Sequence, residues 1–434
     1  MPRVPRAYLS PEGREVQRWA MRGLAFEPPR LIAEGTGVWM DGVQGLSDTH
    51  ALGAVNARVS FQFVATTDAG RTWSTRPFGE LAPQPGRGRQ TFASGRAWQN
   101  DTWTMGGIRA LDGSGSIHNT GNLTTVGMSR RNITAAAAPA CAVFSVSGAG
   151  HFVKHARGLP IAFVGIPGVE RFLPSAGATL ALQGGGFVGT LVCVLAADRT
   201  RGRRSVLAFV SADGFVWRWT SVVAAAAQLP GVAEGPSENA LATLRNGSVL
   251  CVMRVEGQSG HHSPYRSAVS DDGGESWHSL RALPAGVGSV RPRLLPLGGS
   301  LVLSGGRAGP ESRDCLLWLN AAADGEAWGP YSLSFWHNAG LAADSPWRFA
   351  AAAVNASRAL PRFSTCYTSL VSTGARSGFV VYGGGSRAFA MRFRLKHPTR
   401  RECAAAVAAA AAADSSGHPS SISAMRRADA VVDC

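Results

Sequence analysis

An arginine is the last residue of an apolar, strand-like segment of the sequence. The run LATLRNGSVLCVMR contains a glycine turn between two strand-like halves and ends at Arg254. A guanidinium offers planar, bidentate donors at permanent charge, so at the end of an apolar strand it needs an anion nearby or exposure at a rim. The sequence therefore predicts that Arg254 binds a carboxylate of a ligand, and the alternative is a structural salt bridge at the rim of the fold.

The histidines and cysteines give little support for a metal or redox site. His261 and His262 are adjacent, and neighbours on a strand point to opposite faces, so both cannot face one ion. The seven cysteines lie far apart without a CxxC spacing. Cys193, Cys251 and Cys315 lie in the apolar runs LVCVLA, VLCVMR and DCLLWL, where a cysteine is expected to be a small buried hydrophobe.

The clearest pattern is a repeat, S/T-x-D-x-G-x-x-W. It occurs in full at Thr66–Trp73 and Ser270–Trp277, each time after a strand-like run, VSFQFVAT or YRSAVS. Degenerate copies lie at Ser211–Trp217 and Asn320–Trp328, and a weaker copy lies at Ser145–Phe152. Their starts are 50 to 79 residues apart. This interval suits one four-stranded blade of a propeller with its loops.

The repeat has a mechanical interpretation. Its aspartate can accept backbone N–H bonds across a hairpin turn, its glycine supplies a positive φ, and its tryptophan packs under the turn. We therefore predict structural rather than catalytic roles for the aspartates and tryptophans of three copies: Asp68, Trp73, Asp213, Trp217, Asp272 and Trp277.

These repeats resemble the Asp boxes of sialidases and related BNR-repeat propellers. The resemblance implies an all-β fold, a six-bladed propeller of four-stranded antiparallel blades. The expected boundaries are a lead-in at residues 1–24, the propeller at 25–400, and a low-complexity tail at 401–434 that is rich in alanine and is expected to be disordered.

The resemblance also assigns roles near the C-terminus. Tyr367, in the segment CYTSLV, corresponds to the tyrosine nucleophile of sialidases, and Glu238, in SEN, to the base that polarises this tyrosine. Arg254 and Arg313 correspond to two of the three arginines that bind the substrate carboxylate. Arg307 is a weaker competitor for the place of Arg313.

The match is weaker towards the N-terminus. Arg30, in PPRLI, is the first choice for the remaining arginine of the triad, with Arg22 as the alternative. Asp48, in GLSDTHALG, is the candidate acid and Asp41 is the alternative, although a loop aspartate is more often a turn former.

The resemblance implies an exo-sialidase that releases terminal sialic acids from glycoconjugates with retention and needs no metal or organic cofactor. The rivals are a glycan- or protein-binding propeller without catalysis and a scaffold propeller. The formal charge of +15 is compatible with an anionic substrate. We expect no nucleic-acid partner, because the arginines are spread along the chain. No signal peptide or membrane span is visible in the sequence, and the compartment and oligomeric state stay open.

Overall fold

The computed structural model describes residues 23–34, 38–45, 51–57, 61–77, 103–104, 125–126, 140–141, 144–146, 152–154, 159–160, 162–164, 168–173, 177–199, 201–212, 216–257, 263–283, 287–307, 314–349, 366–384 and 387–396. Contacts divide the chain into a unit of residues 26–393 and a smaller unit of residues 1–25 and 394–434. In the smaller unit the backbone N–H of Lys396 donates to the carbonyl of Gly23 at 2.8 Å.

The strands of the described residues follow in chain order. The first group is β1 (Leu24–Phe26), β2 (Arg30–Glu34), β3 (Val38–Gly45), β4 (Ala51–Ala57), β5 (Phe61–Thr66), β6 (Ser74–Pro77), β7 (Trp103–Thr104), β8 (Thr125–Val126), β9 (Ala140–Cys141), β10 (Phe144–Val146), β11 (Phe152–Lys154) and β12 (Leu159–Pro160). The second group is β13 (Ala162–Val164), β14 (Val169–Leu173), β15 (Thr179–Ala181), β16 (Phe187–Leu195), β17 (Ser205–Ser211), β18 (Val216–Ala224), β19 (Val232–Thr243), β20 (Val249–Gly257), β21 (Arg266–Ser270) and β22 (His278–Ala282). The third group is β23 (Val287–Leu297), β24 (Ser300–Arg307), β25 (Cys315–Asn320), β26 (Gly329–Ser332), β27 (Thr368–Gly374), β28 (Ser377–Gly384) and β29 (Arg387–Leu395).

Most strands belong to five sheets. Sheet I has the order β3-β4-β5-β6, sheet III β19-β20-β21-β22 and sheet IV β23-β24-β25-β26, all antiparallel. Sheet II has six strands, β13-β18-β17-β16-β14 with β15 also on β16. Sheet V pairs β27, β28 and β29 and adds β2 to β29. The described residues thus form a mainly β fold in which sheets I, III and IV are four-stranded and antiparallel, as predicted. Sheet II departs from the prediction, because it has six strands and pairs β13 parallel to β18.

Helical structure is short in the described residues. One α-helix, α1, spans Leu333–Ala339, and two 3₁₀ turns span Ala196–Asp198 and Ala226–Gln228.

Successive sheets pack face to face through their apolar residues. One core cluster joins Val188 and Val206 of sheet II to Val249 and Met253 of sheet III. The first strands of the sheets come together in chain order, since β19 contacts β23, β23 contacts β27, and β27 contacts β3. Such packing brings the first strands of several sheets to one side, as in propeller blades.

The first repeat forms the predicted hairpin turn. Asp68 accepts hydrogen bonds from the backbone N–H groups of Arg71 and Thr72 at 2.9 and 2.8 Å. Thr66 accepts one from the N–H of Gly70 at 2.9 Å, where φ is +78°. The indole N–H of Trp73 closes the turn on the carbonyl of Gly70 at 3.1 Å. Asp68 and Trp73 are therefore part of the turn itself.

The other repeats keep this chemistry to different degrees. In the second full repeat Asp272 accepts from the backbone N–H of Ser276 at 2.9 Å. In the copy that is one residue longer, Asn320 replaces the hydroxyl residue and accepts from the N–H groups of Asp324 and Gly325. Trp217 is buried, whereas Asp213 lies outside the described residues.

Asp272→Ala is expected to lower the free energy of unfolding at pH 7 by roughly 0.5 to 1.5 kcal/mol, because water screens the hydrogen bonds of this exposed carboxylate. Burial by itself would raise the pKa of Asp272, but hydrogen bonds from Ser276 and Ser270 outweigh it and lower the pKa to about 2. The stabilisation is therefore complete above pH 4 and lost as the pH falls towards 2. Urea unfolding at pH 7 and pH 2.5 measures both effects. Glu275→Ala, which removes an exposed ion pair with Arg218 from the same turn, is the control and should change little.

Helix α1 is fixed to sheet V by a buried histidine. His337 accepts a hydrogen bond at Nδ1 from the hydroxyl of Tyr382 at 2.8 Å, because its Nε2 faces the carbonyl of Trp347 at 2.7 Å and must carry the proton. Its ring packs on Phe349 and Phe389 at centroid distances of 4.4 and 4.8 Å. Burial lowers the pKa of His337 to about 4.

The stability of the protein is expected to fall by up to about 3 kcal/mol between pH 6.5 and pH 4, because unfolding lets His337 take up a proton. A depressed pKa in the folded state means that the stabilisation is complete above pH 6.5 and lost as the pH falls towards 4. Urea unfolding across this range should give a much flatter profile for His337→Gln. The exposed His278, which pairs with Asp271, is the control, and an equally flat profile in His278→Gln would contradict the assignment.

Candidate active site

Glu238 lies on an irregular part of β19. The pairing of β19 with β20 shifts register on both sides of Pro236, between Val232 and Asn239, and such bulges re-aim side chains. The flanking residues are fixed by hydrogen bonds: the hydroxyl of Ser237 donates to the carbonyl of Arg254 at 3.3 Å, and the side chain of Asn239 donates to the carbonyl of Ser237 at 3.2 Å. The local backbone therefore holds Glu238 in one orientation.

Three of the residues predicted to form the site meet in the structure. The hydroxyl of Tyr367 donates to Oε1 of Glu238 at 2.9 Å, and Nη1 of Arg254 donates to Oε2 of the same carboxylate at 3.0 Å. Tyr367 directly precedes β27, while Glu238 and Arg254 face each other on β19 and β20 of sheet III. The carboxylate thus bridges a phenol from one sheet and a guanidinium from another.

A second carboxylate binds the same arginine. Glu256 lies two residues after Arg254 on β20 and forms an ion pair with its Nη2, so Arg254 is held between Glu238 and Glu256. The side chains of these three residues are 17 to 21% exposed, so the group is partly accessible to solvent. Sequence analysis missed Glu256, although the two-residue spacing that places side chains on one face of a strand is a usable signal.

A buried tyrosine lies beside this group. Tyr265 is fully buried and donates its hydroxyl to the carbonyl of Val290 at 2.9 Å. Burial raises its pKa well above the ordinary value, and the charges of Arg254, Glu238, Tyr367 and Arg307 also act on it. Tyr265 therefore stays protonated and forms an uncharged side of the candidate site. Nothing in the sequence distinguished it from a core tyrosine.

Arg307, the weaker competitor for the third arginine, is the last residue of β24 and pairs in register with Cys315 of β25. The positive charge of Arg307 acts to lower the pKa of Tyr265, against the larger effect of burial. Two more arginines, Arg291 and Arg293, are buried on β23 and donate to the carbonyls of Gly177 and Thr368. Sequence analysis missed both, although arginines at alternate positions of an apolar strand are a signal of buried cations.

The structure does not bring Arg30 to this group. Arg30 is exposed on β2, which pairs with β29, so β29 and β28 separate it from β27. Three strand spacings amount to about 14 Å. Arg313, Asp48 and Arg22 lie outside the described residues, and Asp41 lies on β3 at a position whose side chain is not described.

The four cysteines whose side chains the structure describes are of two kinds. Cys193 and Cys251 are free and buried, as predicted, and burial raises the pKa of Cys193 to about 12. The expectation for Cys315 was wrong, because Cys315 forms a disulfide with Cys366, the residue before Tyr367. A sequence separation of 51 residues gave no local signal for this bond.

In the part of the chain that the structure describes, no cluster of three His, Cys, Asp or Glu side chains could hold a metal ion. Within the same residues, the helical segments are too short to span a membrane.

Similarity to solved structures concerns the fold. A protein of unknown function from Dyadobacter fermentans has a TM-score of 0.53 and 14% identity, over 86% of this chain and 100% of that chain. The Hadza microbial sialidase Hz136 has a TM-score of 0.49 and 13% identity, over 82% of this chain and 66% of that chain. The α-L-arabinanase of Penicillium chrysogenum has a TM-score of 0.46 and 13% identity, over 87% and 99% of the two chains.

No protein-family model and no curated protein sequence matches the chain. Because folds of this kind host many activities, the function has to be argued from the site.

Proposed function

We propose that the chain is a retaining glycoside hydrolase of the exo-sialidase type on a six-bladed propeller. The observation that carries the proposal is the hydrogen bond of 2.9 Å from the phenol of Tyr367 to Glu238, whose other oxygen binds Arg254. In the proposed fold, the strand pairs β7-β8, β9-β12 and β10-β11 form one blade between sheets I and II, which adds a sixth to the five sheets.

The proposed first step is attack by the phenol oxygen of Tyr367 on the anomeric carbon. Glu238 is already the acceptor of the phenol proton, so it can take this proton as the C–O bond forms. An acid protonates the leaving oxygen, and in this proposal Asp48 has that role, with Asp41 as the alternative. Water then attacks the anomeric carbon of this tyrosyl glycoside from the face that the leaving group has left, with the former acid as its base. The Tyr367 oxygen leaves and regains its proton from Glu238, and the two inversions give net retention.

A neutral phenol is a suitable nucleophile for an anionic sugar, because it avoids the repulsion that a second carboxylate would cause. Arg254 and Arg313 are proposed to bind the sugar carboxylate, and Arg307 can act in place of Arg313. Arg30 would complete the triad only if the sugar extended across sheet V, so a two-arginine site is the simpler form of the proposal.

The test is release of methylumbelliferone from a 4-methylumbelliferyl α-sialoside by the purified protein, beside the neutral 4-methylumbelliferyl α-L-arabinofuranoside. We expect cleavage of the acidic glycoside alone, and proton NMR should show the α-anomer of the sugar as the first product. A folded protein that cleaves neither glycoside, across several sialic acids and pH values, would overturn the proposal. Cleavage of the neutral glycoside alone would overturn the substrate class.

A second candidate is a glycan-binding propeller without catalysis. One observation favours it: both Nη atoms of Arg254 already bind carboxylates, those of Glu238 and Glu256, so this guanidinium has a structural role that requires no reacting substrate. Calorimetry with sialyllactose distinguishes the two. Binding without any sugar release supports the second candidate, and binding followed by release supports the hydrolase.

A further inference from the structure

The residues on both sides of Tyr367 are attached to sheet IV, although Tyr367 itself leads into sheet V. Cys366 is fully buried and bonded to Cys315, the first residue of β25. The backbone on the N-terminal side of the tyrosine is thus covalently fixed to the neighbouring sheet.

The C-terminal side of the tyrosine is fixed by hydrogen bonds. The hydroxyl of Thr368 lies 2.6 Å from that of Ser304 on β24, and the carbonyl of Thr368 accepts from Nε of Arg293 on β23 at 3.2 Å. Thr368 is 1% exposed, Ser304 is fully buried, and Arg293 is 8% exposed. Buried, satisfied polar contacts of this kind specify one arrangement, because breaking one leaves a group unpaired.

The attachment points on sheet IV are themselves neighbours. Arg293 and Ser304 are paired across β23 and β24, and Cys315 opens β25. Strand β23 also contacts β19, which carries Glu238. The sheet that holds the backbone of Tyr367 is therefore packed against the strand that holds its hydrogen-bond partner.

We propose that the Cys315–Cys366 disulfide and the Thr368 contacts with Ser304 and Arg293 form a clamp that positions the phenol of Tyr367 on Glu238. These are positioning residues, since their contacts are with the backbone and neighbours of Tyr367. With both flanks fixed, only the side-chain rotations of Tyr367 remain to set the phenol oxygen. The effect of the clamp on catalysis rests on the proposed function, whereas its effect on the phenol does not.

The disulfide makes the clamp dependent on oxidation. Opening it takes two electrons and two protons and gives the thiols of Cys315 and Cys366, while a dithiol reductant becomes a cyclic disulfide. Since both sulfur atoms belong to buried residues, substitution is a cleaner test than reduction.

Two sets of variants test the clamp. Cys315→Ala with Cys366→Ala removes the covalent attachment, and Thr368→Val removes the hydroxyl contact while Thr368→Ser keeps it. A displacement of about 1 Å at a reacting group can cost on the order of 100-fold. We expect kcat on the sialoside to fall by roughly 10- to 100-fold in the first two variants with little change in KM, and Thr368→Ser to restore it.

Thr220→Val is the matched control. It also removes a hydroxyl contact between two sheets, from Thr220 to the carbonyl of Gly274 at 2.7 Å, but on β18, away from Tyr367. If the variants act through general stability, Thr220→Val will lower kcat as much as Thr368→Val, and the clamp is overturned.

A spectroscopic measurement separates the clamp from the proposed function. The chain has five tyrosines, so tyrosine labelled at ¹³Cζ gives five signals, and Tyr367→Phe identifies that of Tyr367. The signal of Tyr367 should shift or broaden in Thr368→Val and the double cysteine variant, while those of Tyr265 and Tyr382 stay in place. If the Tyr367 signal responds in this way but the protein does not cleave the sialoside, the clamp is supported and the proposed hydrolase function is contradicted. An unchanged Tyr367 signal in Thr368→Val would overturn the clamp, even if the double cysteine variant does not fold.

Discussion

Tyr367→Phe is expected to lower kcat on a sialoside by on the order of 10³-fold or more while the protein stays folded. The substitution removes one oxygen atom, the atom that would form the covalent bond to the sugar, and leaves a ring of nearly the same volume. Because that oxygen donates to Glu238 at 2.9 Å, its loss also removes the base's proton source. A ring that served only for packing would lose little on this change.

Covalent trapping checks the role of the atom. A fluorinated sialosyl fluoride should add one sialosyl group to the wild-type peptide that contains Tyr367, and none to Tyr367→Phe. The control is Tyr331→Phe, a partly exposed tyrosine on β26 that packs near Phe26 at a centroid distance of 5.9 Å. If Tyr367→Phe keeps more than a tenth of the wild-type kcat, Tyr367 is not the nucleophile.

The turns of the fold could be predicted because their chemistry is local. In most hydrogen bonds of the repeat at Thr66–Trp73, the donor and the acceptor lie at most four residues apart. The spacing of these residues in the sequence therefore predicts the turn. The copy at Asn320–Trp328 was recognisable for the same reason, and its amide fills the place of the hydroxyl.

The position of Arg30 could not be predicted in this way. The motif around Arg30 gives its neighbours in sequence, but its place in the fold depends on the pairing of β2 with β29, more than 350 residues later. That pairing puts Arg30 on the outer side of sheet V. Hydrophobic alternation predicts that β2 is a strand and is silent on the strand beside it.

The residues of the candidate site also differ in whether their sequence motifs could predict them. Glu238, Arg254 and Tyr367 were expected together because the segments around them resemble those of the sialidase site, and the structure brings them within hydrogen-bonding distance. The Cys315–Cys366 bond and the position of Tyr265 beside the site depend on contacts between sheets. No local pattern distinguishes such a residue from an ordinary core residue, so these contacts required the three-dimensional structure.

Glu238→Gln is expected to lower kcat by roughly 10²- to 10⁴-fold, the contribution of a general base. Glutamine keeps the length of the side chain and an oxygen that can accept from Tyr367, but it cannot take up the phenol proton. Its loss of charge also weakens the contact with Arg254, so a second variant has to separate the two effects.

Glu256→Gln is that variant. Glu256 and Glu238 both bind the guanidinium of Arg254, whereas the hydrogen bond from the phenol of Tyr367 goes to Glu238. If Glu238 serves only to hold Arg254, both substitutions should raise KM and lower kcat to similar extents. If Glu238 is the base, Glu256→Gln should change kcat by less than about tenfold. Glu238→Gln should then cost little more when Tyr367→Phe is already present, since residues that act as one unit are not additive. Steady-state kinetics of the three single variants and the double variant decides between these outcomes, and additive losses would show that Glu238 and Tyr367 act independently.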